Sequence, residues 1–483
     1  MGEGRERTSA AEAAFLDNER PATRLPLSSI LSISAPNLPL STLSVALVVY
    51  LPNYFAGNLE VDMTMVGLVW MAIRFIDIPF DVVIAMAMDR TRTRLGRYRP
   101  WLVASAPILM LAALRLFMAP VGFSAGYLLV WLLVLYLGNS MSGISLSAWS
   151  ATLATRYHER SRLFSVQNAV GVVGNLAALA MVILPLGLSY AGGVEAMGWL
   201  VIALVPAAIL VAALLTPERI APELKHRFRL GDYLRTLTKP DLARLFAAQI
   251  ALTLGPGWMS AIYLFYFKDV RGFSEQQSSI LLLTYIVAQI PGAFLAAALA
   301  RRIGKHRALM VATTGFSLGL LSVFVIPRGD LLVALPPLAW TGVMASGFGL
   351  MISAMLADVG DEVRLEQGRQ RISLIYAVNG LAVKIAAALS IGITFPLLAW
   401  LGYHPAEGPA NTPQALQNLQ IAFLAGPFFF VLLGGACVIG WRLDARRHGE
   451  IRQALDARDA ELEALGAGAW PQLAPGAAHE PAQ

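Results

Sequence analysis

Apolar runs long enough to cross a bilayer recur along nearly the whole of this 483-residue sequence, and that recurrence leaves it one class of fold. Inside hydrocarbon every backbone N–H and C=O needs a partner within the protein, so such a chain spans as helices of roughly 20 residues each. Twelve segments qualify, near 28–51, 63–88, 101–120, 124–153, 164–190, 194–216, 241–267, 276–299, 308–327, 331–357, 372–401 and 416–441. The division of 101–153 into two helices rests on Pro120, Gly122 and Ser124 as the turn. Charged residues make up only 14% of the chain, where soluble domains carry about 25%. The expected fold is an all-α polytopic membrane protein with 12 transmembrane helices in two six-helix halves. Its parts are a cytoplasmic N-terminal tail (1–27), a first half (28–216), a central cytoplasmic loop (217–240), a second half (241–442) and a cytoplasmic tail (443–483).

Lysine and arginine test the count. The loops assigned to the cytoplasm, with both tails, hold 31 of them, and the loops assigned to the outside hold 4; Arg74 and Lys384, inside spans, complete the 37. Adding or losing one helix would scramble this alternation, so both ends are expected in the cytoplasm. The net charge of +6 is thereby explained by topology, and no nucleic-acid partner is expected. The single cysteine, Cys437, excludes an intramolecular disulfide, and the polar start of the chain reads as having no cleaved signal peptide. In the tail, Ile451, Leu455, Leu462 and Leu465 make a thin apolar stripe on a strongly charged helix, expected to be solvated rather than partner-bound.

The two halves repeat. Arg94-Leu95-Gly96-Arg97-Tyr98-Arg99 follows the second span, and Arg302-Ile303-Gly304-Lys305-His306-Arg307 follows the eighth, 208 residues on. Each hexad lies between the second and third helices of its half, the arrangement of transporters whose solute binds between parallel repeats near the midplane. Pro36-Asn37-Leu38-Pro39 is expected to break span 1, and Gly255-Pro256-Gly257 to break span 7.

Four ionisable residues stand far from any interface: Arg74, Asp77, Asp81 and Lys384. A charge at the bilayer centre costs roughly 2.5–3.5 kcal/mol on insertion scales, so such groups face the protein interior and mark a pathway. At about 100° per residue, Arg74, Asp77 and Asp81 point to about 0°, 300° and 340°, one narrow face of the helix. Two carboxylates a turn apart can wrap a sodium ion, or take up a proton, since one negative charge favours protonation of its neighbour. Arg74 offsets one carboxylate and leaves a site short of about one positive ion; a purely structural Arg–Asp bridge would leave the other carboxylate unexplained. The equivalent positions of the second half, Tyr285 and Gln289, are polar but uncharged.

The stretch RFIDIPFDVVIAMAMDRTRTRLGRYRPWL, from Arg74, resembles the signature of the glycoside–pentoside–hexuronide:cation symporters, the melibiose permease-like group of the major facilitator superfamily. YHERSRLF (157–164) resembles that family's loop between helices 4 and 5, and LADVGDEVRLEQGRQRISLIYAVNGLAVK (356–384) its helix 10–11 region. The resemblance implies the major facilitator fold and alternating-access symport. It assigns cation binding to Asp77 and Asp81 with Ser140 assisting, and places Lys384 near both solute and cation. It also exposes departures. Phe80 replaces an amide, which favours a proton over sodium; span 1 lacks an acid; Gly143 stands at an acidic position of helix 4, and Asn168 at an arginine position of helix 5.

Sugar recognition needs dense hydrogen bonding, because unpaired buried polar groups are costly. Arg74, Asn139, Gly143, Asn168, Gln289 and Asn379 are the remaining candidates for solute binding or coupling, and Trp149, Trp258 and Tyr263 are expected to line an apolar cavity. Asp89, Arg90, Arg94, Arg97, Arg99, Glu159, Arg160, Asp358 and Asp361 lie at the cytoplasmic helix ends and are expected to form gating salt bridges. The expectation is a cation-coupled symporter of a small organic solute, glycoside-like or more apolar. It would be a monomer of the bacterial cytoplasmic membrane, with Na+ or H+ as coupling ion and no other cofactor or metal. An uncoupled facilitator or an amphiphile carrier of the same fold is the alternative. A membrane-embedded enzyme is disfavoured, since no histidine, cysteine and glutamate share metal-ligand spacing and no nucleophile has an evident base.

Overall fold

The computed structural model describes residues 25–93, 95–154, 157–184, 189–218, 239–367 and 372–464. The N-terminal tail before Leu25, Arg94, the core of the central loop (219–238) and the segment after Ala464 lie outside the described residues. Twelve helical segments follow in order: α1 (Leu27–Gly57), α2 (Met63–Arg90), α3 (Arg99–Phe117), α4 (Ala125–Leu153), α5 (Tyr157–Ile183), α6 (Tyr190–Leu215), α7 (Pro240–Val270), α8 (Glu275–Ile303), α9 (Lys305–Val323), α10 (Leu331–Ala345 continued by Gly347–Gln367), α11 (Ile372–Trp400) and α12 (Pro413–Ala436). A thirteenth, α13 (Ala445–Ala464), lies in the tail. Ten of the twelve are long and apolar enough to cross a membrane. Of the others, α9 falls short because it has 19 residues and begins on Lys305, His306 and Arg307.

Several boundaries moved for local reasons. Helix α5 begins at Tyr157 rather than near 164, because its first two turns are polar. Helix α10 runs ten residues past its apolar segment, into Asp358, Asp361 and Glu362. Ser124 caps α4 by accepting from the Tyr127 N–H at 3.2 Å, which confirms the turn between α3 and α4.

The chain forms two compact units, Met1–Val61 with Phe75–Leu224, and Asp62–Arg74 with Lys225–Gln483. The start of α2 therefore groups with the second unit: a Cβ on Gly67 would stand 2.8 Å from Phe395 on α11. Each unit repeats one packing scheme. In the first, α1 packs on α5 and α6, and α3 on α4 and α6; in the second, α7 packs on α11 and α12, and α9 on α10 and α12.

The loop hexads are equivalent in backbone as well as sequence. Gly96 has φ +110° and Gly304 φ +89°, conformations that a side chain strains. At Gly96 the space has a further use. The Glu218 carboxylate, just after α6, accepts from the backbone N–H groups of Arg97, Tyr98 (2.8 Å) and Arg99 (3.4 Å), at the start of α3. A carboxylate belongs there, because the unpaired N–H groups of a helix N-terminus attract negative charge. A Cβ on Gly96 would lie 1.9 Å from Glu218 Oε2.

Of the two expected helix breaks, one is present. α1 is interrupted at Ala35–Pro36 and widens again into a π-helical turn at Ala46–Tyr50. α7, in contrast, runs helical through Gly255-Pro256-Gly257 and widens only at Tyr266–Val270. Its two glycines serve close packing, one against Val431 of α12 and one against Ser390 of α11, and the proline is absorbed inside the helix.

Gly304→Ala should destabilise the purified protein by about 1–3 kcal/mol through backbone strain alone. Gly96→Ala should lower the thermal midpoint further, because it also drives Glu218 from its seat. Equal shifts for the two variants would contradict this role for Gly96.

Candidate functional site

Asp77, only 4% exposed, lies at the middle of α2. Ser140 Oγ of α4 donates to Asp77 Oδ1 at 2.8 Å, and Ser140 is itself buried. One turn later Asp81 is half-buried, with Oδ1 shielded from solvent. Pro79 stands between the two acids inside the helix; it has no N–H to give the Phe75 carbonyl, so the ladder is interrupted between the carboxylates. That interruption was present in the sequence but its place within the site was not recognised there. Arg74 is half-buried on the same face, and the boundary between the two compact units crosses α2 just after it. Phe80 is 40% exposed and turned about 100° from Asp81.

The rest of the first unit's candidates follow α4 and α5. Asn139 is half-buried, and Gly143, one turn beyond, is exposed with nothing within 4 Å of where a Cβ would stand. The missing acid of helix 4 thus leaves open space, not a refilled wall. Asn168 is exposed. Its neighbour Gln167 ties α5 to α4 by donating to Ser150 Oγ at 2.7 Å, a bond the sequence did not announce.

In the second unit, Lys384 and Asn379 on α11 and Gln289 on α8 are half-buried. Asn379 Oδ1 is buried and accepts no hydrogen bond among the described residues, so it can accept from a solute or water.

The three aromatic candidates each have a packing role. Trp149 is fully buried; its Nε1 donates to the Pro217 carbonyl at 3.2 Å, and the Arg99 guanidinium lies over its ring. Trp258 donates to the Ala422 carbonyl at 2.9 Å and fills the space that Gly426 leaves on α12. Tyr263 packs among Phe267 and Phe423. All three are buried against a facing helix or loop. A lone aromatic beside small residues in sequence fits a packing or a lining role, and only the facing helix decides between them.

The loop charges find partners inside their own units. Asp89 pairs with Arg97, whose Nε also donates to the Met88 carbonyl. Arg99 donates to the Thr216 carbonyl at 2.8 Å, and Glu159 accepts from the Leu25 N–H at 3.2 Å. Arg90 is exposed; Arg94 and the Arg160 side chain lie outside what the structure describes. In the second unit Lys305 holds both oxygens of Asp358 at 2.7 Å, and Asp361 receives His448 at 3.1 Å and Arg452 at 3.4 Å. Lys305 is the repeat equivalent of Arg97, so each half uses that loop position for an ion pair.

Two units of matching internal packing, with charge buried mid-helix and helices long and apolar enough to cross a membrane, define a multi-pass helical membrane protein. The comparisons agree. Over 86% of its length the chain superimposes on a crystal structure of a mutant form of the nucleoside transporter NupG with a TM-score of 0.66 and 11% identity, covering all of that chain. A bacterial homologue of the lysosomal transporter Spinster gives a TM-score of 0.61 at 14% identity, with 86% and 96% covered.

The sequence model described as "MFS/sugar transport protein" matches residues 32–445, and the chain belongs to that family. Among its relatives, the isoprimeverose transporter of Lactiplantibacillus pentosus is 24% identical, with 86% of this chain and 87% of that one covered. The glucuronide carrier protein homologue of Escherichia coli K12 is 22% identical, with 85% and 91% covered. The sodium-dependent lysophosphatidylcholine symporter 1-B of Danio rerio is 22% identical, with 91% and 92% covered. The resemblance to the glycoside symporters holds, and the protein is a transporter, not an enzyme.

Trp258→Phe removes one buried hydrogen bond but keeps the ring. It should lower the thermal midpoint by the equivalent of about 0.5–1.5 kcal/mol and leave solute affinity unchanged. A changed affinity with an unchanged midpoint would restore Trp258 to the cavity wall.

Proposed function

We propose that this protein is a symporter that couples entry of one cation to transport of a small organic solute by alternating access, in the bacterial cytoplasmic membrane with both termini inside. The observation that carries the reading is the Ser140–Asp77 contact at 2.8 Å, made by a carboxylate buried in mid-helix with a second carboxylate one turn away. Charge is expensive at that depth, and an ion that visits the two carboxylates on each turnover explains why acids are kept there. The serine hydroxyl supplies one oxygen and Asp77 and Asp81 the rest for sodium, or the carboxylates take up a proton.

The family description and the named sugar-carrying relatives support a glycoside-like solute. The open space at Gly143 supports a solute with fewer hydrogen bonds at that end, and the lysophosphatidylcholine relative makes an amphiphile the second reading. Asn379 on α11 offers an acceptor, with Lys384 five residues on as a cationic partner.

The test is uptake of radiolabelled glycosides and lysolipids into proteoliposomes under an imposed sodium or pH gradient, and with the gradient collapsed. Accumulation should require one of the gradients. Asp77→Asn and Asp81→Asn should abolish accumulation while the proteins keep their thermal midpoint in detergent. Ser140→Ala removes a bond to a charged group of about 1.5–3 kcal/mol and should shift the ion concentration for half-maximal uptake by roughly 10- to 100-fold, upward for sodium, which loses an oxygen ligand, and downward for a proton, because that bond favours the ionised carboxylate. Uptake indifferent to both gradients would overturn the coupling and leave a facilitator.

A further inference from the structure

Helix α13, expected to be solvated, is docked. Ile451 and Leu455 of its apolar stripe are 7% and 0% exposed. Its charged face meets the end of α10, which needs it. The last turns of α10 carry Asp358, Asp361, Glu362 and Glu366, four carboxylates at a helix C-terminus, where the backbone dipole already favours cations.

Lys305 of α9 serves Asp358, and Lys239 serves Glu366. The remaining cations come from the tail. His448 Nε2 lies 3.1 Å from Asp361 Oδ2 and 3.4 Å from Asp358 Oδ1; Arg452 reaches Asp361 at 3.4 Å, and Arg447 reaches Glu362 at 3.7 Å. In return Asp459 receives Arg364 at 2.8 Å, and Arg458 donates to the carbonyls of Arg364 and Leu365 in the last turn of α10.

We propose that α13 is a pH-responsive strap on α10, tightened when His448 is protonated and loosened when it is neutral. Histidine is the side chain that ordinarily changes charge between pH 5 and 8. Here it stands between two carboxylates, so its proton adds attraction to both, and its loss leaves Asp361 with Arg452 and Asp358 with Lys305. The other contacts are half-exposed ion pairs over a short apolar stripe. The strap is therefore balanced finely enough for one charge to move it.

Among the groups that face this cluster, Glu362 responds in the opposite sense, since burial and the nearby Glu366 and Asp241 raise its carboxyl and acid weakens its pair with Arg447; the others do not supply the same switch. Asp444 accepts from the Arg447 N–H at the start of α13, and that bond holds its carboxyl below the usual range, so it stays ionised above pH 5. His306 of α9 faces Asp444, not the carboxylates of α10, and the His448 variants separate its effect. Acidification on the side of the membrane where the tail lies thus clamps the charged end of α10.

The experiment is pulsed electron–electron distance measurement on the full-length protein, with Cys437→Ser, and spin labels at Gln453→Cys on the exposed side of α13 and Arg302→Cys at the end of α8. At about pH 5.5 one short distance population is expected; at about pH 8.5 a second, longer population should appear and grow several-fold. His448→Gln should remove this pH dependence, and His448→Arg should hold the short population at both pH values. The thermal midpoint of each variant verifies folding. A native distribution that does not change with pH, or one that shifts equally in His448→Gln, would overturn the proposal.

Discussion

A carboxylate buried in the middle of a membrane helix is the constraint around which the first unit is arranged. Asp77 cannot leave its depth, because α2 is helical from Met63 to Arg90 and Asp77 is its fifteenth residue. A charge held there needs oxygen donors or counter-charge from the protein, and Ser140 on α4 contributes the hydroxyl. The helix around it is locally loosened by Pro79. A single-turn separation places Asp81 on the same face of α2 as Asp77.

The helix ends show the opposite economy. There the charges are matched within each unit: Glu218 closes the N-terminus of α3, Arg97 meets Asp89, Lys305 meets Asp358, and the tail helix completes α10. Gly96 and Gly304 turn the chain at equivalent places so that these pairs can form. Surface pairs of this kind contribute little stability individually. Their worth is that they fix where helices begin and end, and they can be exchanged without a large barrier. A carrier that must change conformation in every cycle needs contacts of that strength at its ends.

Much of this was legible in the sequence because membrane physics limits the choices. Helix number followed from apolar length and from the side on which lysine and arginine fall. The Asp77–Asp81 face followed from helical spacing, and Ser140, which the family resemblance assigns to cation binding, donates a hydrogen bond to Asp77. What could not be read were partners on other helices. Nothing in the sequence marked Glu218 or Gln167, and Trp149, Trp258 and Tyr263 read as cavity linings with no sign of what they pack against. Each was decided by a single facing group: the N–H groups of α3, Ser150, the carbonyls of Pro217 and Ala422, and Phe423. The tail helix was misjudged for a similar reason. Its thin stripe of Ile451 and Leu455 suffices only because the end of α10 supplies an uncompensated row of carboxylates, and that row became visible only when α10 proved longer than its apolar segment.

The account stands on an ion entering the Asp77–Asp81 face in the course of transport. Charge displacement on a solid-supported membrane measures this directly and needs no solute. The native protein should give a transient current after a jump in sodium concentration or in pH, and the Asp77→Asn/Asp81→Asn double variant should give none. No current with either ion in the native protein, or an undiminished current in the double variant, would contradict the account.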